Sequence, residues 1–300
     1  MATRATRAAV SRLGFSNPVL RRYLTELFSV SPGDYGCFVG QPVFEATFGW
    51  ETADVTMDEL GESLLTSDLI RALDKPGGAS GDAYRFGKDA KPYAHQLAAW
   101  KLLGLPESQS VIVTSGTGSG KTECFMVPIL DQLAREAKTA QAPLEGVQAL
   151  FLYPLNALIQ SQQERLHAWT APFGGKVRYC LYNGNTPNTP LPGHKTAGVP
   201  NQVLDRKALR TSPPPILVTN ATMLEYMLVR AQDAPILKKS QGKLQWVVLD
   251  EAHSYIGSQA AELALLLRRV LHAFGVKLGE VRFVATSATI GDPGGEAGTK

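Results

Sequence analysis

Ser115-Gly116-Thr117-Gly118-Ser119-Gly120-Lys121-Thr122 stands between an apolar run, 111–114, and a segment of helical character that opens at Lys121. The strict phosphate-loop consensus has Gly where Ser115 stands, so the pattern departs by one residue. Its physics is intact. Gly116, Gly118 and Gly120 permit backbone conformations that turn successive N–H groups inward on a phosphate chain. A helix starting at Lys121 adds its positive end. Lys121 would reach the β- and γ-phosphates as a mobile point charge, and the Thr122 hydroxyl would ligate Mg²⁺. A Gly-rich hairpin is the competing reading, but it explains neither the Lys-Thr pair nor the flanking strand and helix.

Outward from this loop, apolar runs at 111–114, 149–153, 177–181, 216–219, 246–249 and 281–285 alternate with helical stretches. The helical stretches include 121–138, 155–169, 223–230 and 257–274. Runs that are apolar throughout are expected of strands covered on both faces. Strand–helix alternation predicts an α/β fold with a doubly wound, mostly parallel sheet, whose ligands bind at the carboxyl ends of the strands. Every chemical motif should then follow a strand. Asp250-Glu251-Ala252-His253 meets that test, closing the apolar run 244–249. Asp250 would hold Mg²⁺, mostly through water, while Glu251 would orient and deprotonate an attacking water. An Asp-Glu pair at a strand end is otherwise a solvated helix start.

Together, the Ser115–Thr122 loop, the Asp-Glu-Ala-His tetrad and Ser287-Ala288-Thr289 resemble the first RecA-like domain of superfamily 2 DEAD/DEAH-box helicases. Ser at the first loop position suits that superfamily better than the generic consensus. The resemblance covers roughly residues 90–290 and implies an ATP hydrolase that uses ATP and Mg²⁺ and acts on nucleic acid. It implies that Ser115, Gly116, Thr117, Gly118, Ser119, Gly120, Lys121 and Thr122 bind the nucleotide, and that Lys121, Asp250, Glu251 and His253 serve catalysis. Tyr93-Ala94-His95-Gln96 is similar to the adenine-reading segment, with Gln96 on the base and Phe86 stacked on it. His253, Ser287 and Thr289 resemble residues that couple nucleotide state to the nucleic-acid site, so their loss is expected to hurt unwinding more than ATP binding.

Three further segments resemble strand-contacting motifs. These are Tyr153-Pro154-Leu155-Asn156-Ala157-Leu158, Tyr182-Asn183-Gly184-Asn185-Thr186-Pro187 and Thr219-Asn220-Ala221-Thr222-Met223-Leu224. Pro154, Asn156, Thr186, Thr219 and Asn220 are the candidate contacts. Small hydroxyl and amide groups beside helix-start N–H groups suit phosphates, which position a strand without reading its sequence. Helix capping by Asn156 and Asn220 is a compatible alternative. The second segment carries Asn185 where the family's pattern has an acid, and also spells an ordinary turn. His194, Lys195, Arg206, Lys207 and Arg210 either line a groove along the strand or sit in a solvated loop. With the stretch Ser254-Tyr255-Ile256-Gly257-Ser258-Gln259-Ala260-Ala261-Glu262-Leu263, these segments resemble bacterial helicases of genome defence and DNA repair, often with a C-terminal cysteine cluster.

The bulk numbers set outer limits. Three hundred residues, 44% hydrophobic and 19% charged, fit one sizeable globular domain with an appendage. Thirty Lys+Arg against 27 Asp+Glu leave +3, so any basic binding surface must be local. Cys37, Cys124 and Cys180 form no CxxC pair, which favours buried free thiols over a disulfide framework or zinc site. No apolar run is long enough to cross a bilayer, and a cytoplasmic protein without membrane partners is the default. Residues 1–90 lack the strand–helix rhythm and read as an N-terminal extension with one helix at 57–73; residues 91–300 read as the ATP-binding domain. Five arginines in the first 22 residues fit a basic arm better than a transit peptide. The family implies a second RecA-like domain downstream that supplies an arginine finger. The leading expectation is a DNA helicase or translocase. An RNA helicase, a duplex translocase that does not unwind, and an ATP-gated clamp or scaffold are the alternatives.

Overall fold

A computed structural model of the chain describes residues 2–41, 49–61, 63–116, 118–189 and 200–288. The chain divides into two compact units, 1–49 and 50–300.

The first unit holds two helices, α1 (Ala2–Arg12) and α2 (Pro18–Phe28). Asn17 caps α2 by accepting from the N–H groups of Val19 and Leu20, and Pro18 supplies a preset φ at the first helical position. Neither helix is announced by the sequence pattern.

In the second unit the expected helix at 57–73 is two helices, α3 (Met57–Leu60) and α4 (Ser67–Asp74). Thr56 and Glu59 form a capping box at the start of α3. Gly61 ends that helix, and Thr66 then caps α4. The Thr66 N–H and hydroxyl both donate to Asp131, at 2.6 and 2.8 Å, which fixes α4 against the helix bearing Asp131. The remaining elements are α5 (Ala94–Leu103), β1 (Val111–Thr114), α6 (Lys121–Thr139), β2 (Ala149–Leu152), α7 (Asn156–Ser161), α8 (Gln163–Thr170), β3 (Tyr179–Leu181), β4 (Gln202–Val203), α9 (Arg206–Thr211), β5 (Ile216–Thr219), α10 (Ala221–Val229), α11 (Ala234–Lys239), β6 (Trp246–Leu249), α12 (Ser258–Phe274) and β7 (Arg282–Ser287).

All strand pairings in the sheet are parallel, in the order β1-β7-β6-β2-β5-β3-β4. Alternate residues of one strand enter opposite cores. Ala149 and Phe151 join a cluster with Trp100, Phe125 and Leu69 on one face. Leu150 and Leu152 join Leu224, Leu266 and Phe274 on the other. This two-sided burial is why β2 and β5 read as unbroken apolar runs. The doubly wound sheet is therefore as expected. Two details differ. The helical stretch 155–169 turns at Gln162, between α7 and α8, without a Gly or Pro to announce it. The irregular stretch 183–215 contains β4 and α9, the latter capped by Asp205.

Candidate nucleotide and nucleic-acid site

Because every strand runs the same way, all carboxyl ends open on one rim. Residue Ser115 follows β1, Asp250 follows β6, and Ala288 follows β7 between them. Two strand spacings, about 10 Å, separate the backbones of the first two.

The loop after β1 is braced from outside itself. Lys121 Nζ donates to the carbonyls of Ser115 and Gly116, both at 2.9 Å, and the hydroxyls of Ser115 and Ser119 are hydrogen-bonded to each other. Gly118 and Gly120 have φ of 80° and 74°, the left-handed region that favours glycine. Gln96 is buried. Its Oε1 accepts from Tyr93 N at 2.9 Å, and its Nε2 donates to the Gly120 carbonyl at 3.1 Å. His95 Nε2 lies 2.9 Å from the Ser119 carbonyl. The His95 ring stacks on Tyr93 and meets the edge of Trp50. A Cβ on Gly116 would lie 3.2 Å from the Trp50 ring. Trp50 escaped the sequence reading, because it stands 65 positions before the loop in a segment without strand–helix rhythm. Phe86 packs against Trp100 and the core, with ring centroids 6.2 Å apart, and keeps part of its surface exposed.

At β6, Asp250 Oδ1 accepts from the Thr286 hydroxyl of β7 and, at 3.1 Å, from Glu251 N. This orients the carboxylate before any ligand arrives. Glu251 has φ of 52°, the single non-glycine with positive φ among the described residues. Such a conformation costs about 1–2 kcal/mol, and strain of this kind gathers at functional sites. Its Oε2 lies 3.2 Å from His253 Nδ1, and that nitrogen is 3.3 Å from Ser287 Oγ. Ser287 O accepts from Ser115 N. Residues of the loop, the tetrad and the last strand thus form one connected rim. Tyr153, at the end of β2, is buried beneath it. Desolvation, and then the neighbouring Asp250, push its hydroxyl well above the ordinary range. Thr117 and Thr289 lie outside the described residues.

The strand-contact candidates fall on the same rim, in different states of engagement. Asn220 caps α10 through Met223 N, and its Nδ2 donates to Asn156 Oδ1 at 2.8 Å, joining the segments after β2 and β5. Asn156 is the first helical residue of α7, not its cap. Pro154, Asn156 and Asn220 line a cleft of about 920 Å³ with Tyr255, Gln259 and Arg269. Thr219 and Thr186 are buried; the Thr219 hydroxyl donates to the Tyr182 carbonyl, tying the end of β5 to the segment after β3, and the Thr186 hydroxyl donates to the Leu181 carbonyl within its own turn. Arg206 donates to the carbonyls of Thr186 and Asn183, and Arg210 pairs with the buried Asp233 at 2.8 Å. Both arginines are thus engaged within the fold and half-buried, while Lys207 is exposed. His194 and Lys195 lie outside the described residues.

A family model described as DEAD/DEAH box helicase matches residues 93–294. Druantia protein DruE of Escherichia coli is 26% identical over 67% of this chain and 16% of its own length. The Lhr helicase/probable uracil glycosylase of Mycolicibacterium smegmatis is 30% identical over 60% of this chain and 11% of its own. The crystal structure of the DUF1998 helicase MrfA bound to DNA superposes with a TM-score of 0.56 at 25% identity, covering 82% of this chain and 29% of that one. The chain spans under a third of each of these relatives.

Proposed function

The chain belongs to the DEAD/DEAH box helicase family, and we propose that it is the ATP-binding portion of an ATP-dependent DNA helicase or translocase. The observation that carries this reading is the common rim on which the Lys121 loop and the Asp250–Glu251 pair stand, with only β7 between their strands. In this reading, loop N–H groups and the start of α6 receive the phosphates, and Lys121 exchanges its two loop carbonyls for phosphate oxygens. The residues fit a hard cation, since Thr122 offers a hydroxyl and Asp250 a carboxylate already oriented by Thr286. Mg²⁺ held there would offset charge on the transferring phosphoryl group. Glu251 takes the proton of the attacking water at its carboxylate. His253 and Ser287 report that event toward the rim, where Pro154, Asn156 and Asn220 meet the nucleic-acid backbone.

The preference for DNA rests on MrfA, which was solved bound to DNA and is 25% identical to this chain. The greater length of the relatives supports a second RecA-like lobe that completes the ATP site. A role in bacterial genome defence or repair rests on the resemblance of the stretch after the tetrad to helicases of that kind. The test is ATP hydrolysis by the full-length protein with single-stranded DNA, duplex DNA or RNA. Stimulation by DNA is expected. Stimulation by RNA alone would replace the substrate. If Glu251→Gln left the protein's function untouched, a clamp would replace the motor.

A further inference from the structure

Glu123 occupies the first turn of α6, two residues beyond Lys121. An acid there is favoured by the helix's positive end, but a nucleotide's phosphates would seek the same end. The carboxylate faces the loop: a Cβ placed on Gly120 would lie 3.1 Å from Glu123 Oε2. That oxygen is buried and has no hydrogen-bond partner among the described residues. The other oxygen, Oε1, pairs with Arg165 Nη1 at 3.1 Å, the two side chains being 18% and 23% exposed.

Arg165 comes from α8, whose Leu166 and Trp169 share one hydrophobic core with Phe125 and Ile129 of α6. Its guanidinium lies over the rings of Tyr84 and Trp169, 5.7 Å from each centroid, which holds the fork toward Glu123. Trp100 Nε1 donates to the Glu123 carbonyl at 2.9 Å, so the same turn is pinned from α5. The segment that ends in α8 begins at the rim, with Pro154 and Asn156. Arg165 therefore links two places. One end of its segment faces the proposed strand cleft, and its charge sits on a carboxylate beside the phosphate loop.

We propose that Arg165 and Glu123 are a positioning pair: Arg165 cancels the carboxylate's charge beside the phosphate loop, and α7–α8 carry strand occupancy to that pair. This rests on the reading of the rim as an ATP and nucleic-acid site. Without Arg165, Glu123 opposes the incoming phosphates. Without either residue, ATP is accepted but no longer senses the strand.

The test uses the full-length protein and the variants Arg165→Gln, Glu123→Gln and the double variant. KM for ATP is measured with and without the stimulating DNA, and thermal melting controls for folding. Arg165→Gln is expected to raise KM by about 5-fold or more, the lower edge of typical coupling between sites. Adding Glu123→Gln should return KM to near wild type, since the offending charge is gone. In the double variant DNA should no longer shift KM. A general packing defect would make the two changes additive. A double variant no better than Arg165→Gln alone, or one in which DNA still shifts KM as in wild type, overturns the proposal. Wild-type hydrolysis that ignores every nucleic acid would instead sink the underlying functional reading.

Discussion

Replacing Gly120 with Ala should disable the phosphate loop far more than the same change at Gly118. Both residues have positive φ, 74° and 80°, so each Ala pays about 1–2 kcal/mol for the left-handed backbone. They differ in what the new methyl meets. At Gly118 nothing among the described residues stands within 4 Å; at Gly120 the methyl collides with the Gln96 amide. Gln96 must then leave, giving up its bonds to Gly120 O and Tyr93 N inside a buried site. Leaving such groups unsatisfied costs about 1–3 kcal/mol. If the free loop relaxes by leaving its cradle, that extra cost returns when nucleotide rebuilds it, and about 1.4 kcal/mol is tenfold in affinity. Titration with a fluorescent ATP analogue should show Gly118→Ala weakened roughly tenfold, with Gly120→Ala weaker again by about 5- to 150-fold. Gln96→Ala added to Gly120→Ala should recover part of the difference. Equal losses for the two glycine variants would refute the bracing of the loop by Gln96.

Lys121→Ala should abolish ATP binding, whereas Glu251→Gln should bind ATP and cut turnover by about 10²–10⁴-fold, the usual worth of a general base. Isothermal titration beside phosphate-release kinetics separates the two. Thr286→Val removes the hydroxyl that orients Asp250, which should lower kcat and cost about 1–3 kcal/mol in urea unfolding. Burial pushes the Cys124 thiol up to about 12 and raises Cys180 also. Both should resist a thiol reagent in the native protein and react in denaturant, as read by mass spectrometry. These thiols and Tyr153 hold their protons more firmly when folded, so the unfolded chain loses them first. Stability should be level below about pH 8.5 and fall as pH rises beyond it, as followed by alkaline melting curves.

The central sheet was legible because strands such as β2 (Ala149–Leu152) are buried on both faces, which leaves an apolar run with no polar alternation to confuse it. The placement of the loop and the tetrad at strand ends was legible because Gly spacing and adjacent acids are local features beside apolar runs. What escaped depends on distance. No local pattern announces that Trp50 and Gln96 brace a loop whose glycines stand up to 70 positions away. Sequence leaves Arg206 and Arg210 either lining a groove or solvated in a loop, and it does not foretell their bonds to a nearby carbonyl pair and to the buried Asp233. Nor does any local pattern announce that the Thr186 and Thr219 hydroxyls donate to the carbonyls of Leu181 and Tyr182. The strand β4, two residues long, is too short to carry any period.

Iron(II) substituted for Mg²⁺ in bound ATP cuts the backbone nearest to it when peroxide and ascorbate are added, so it maps which segments share the metal. With Lys121 and Asp250 serving one nucleotide, cleavage should appear both in residues 115–122 and around 250, and both cuts should vanish together with excess MgATP or with Lys121→Ala. Cleavage confined to one of the two segments would contradict the shared site.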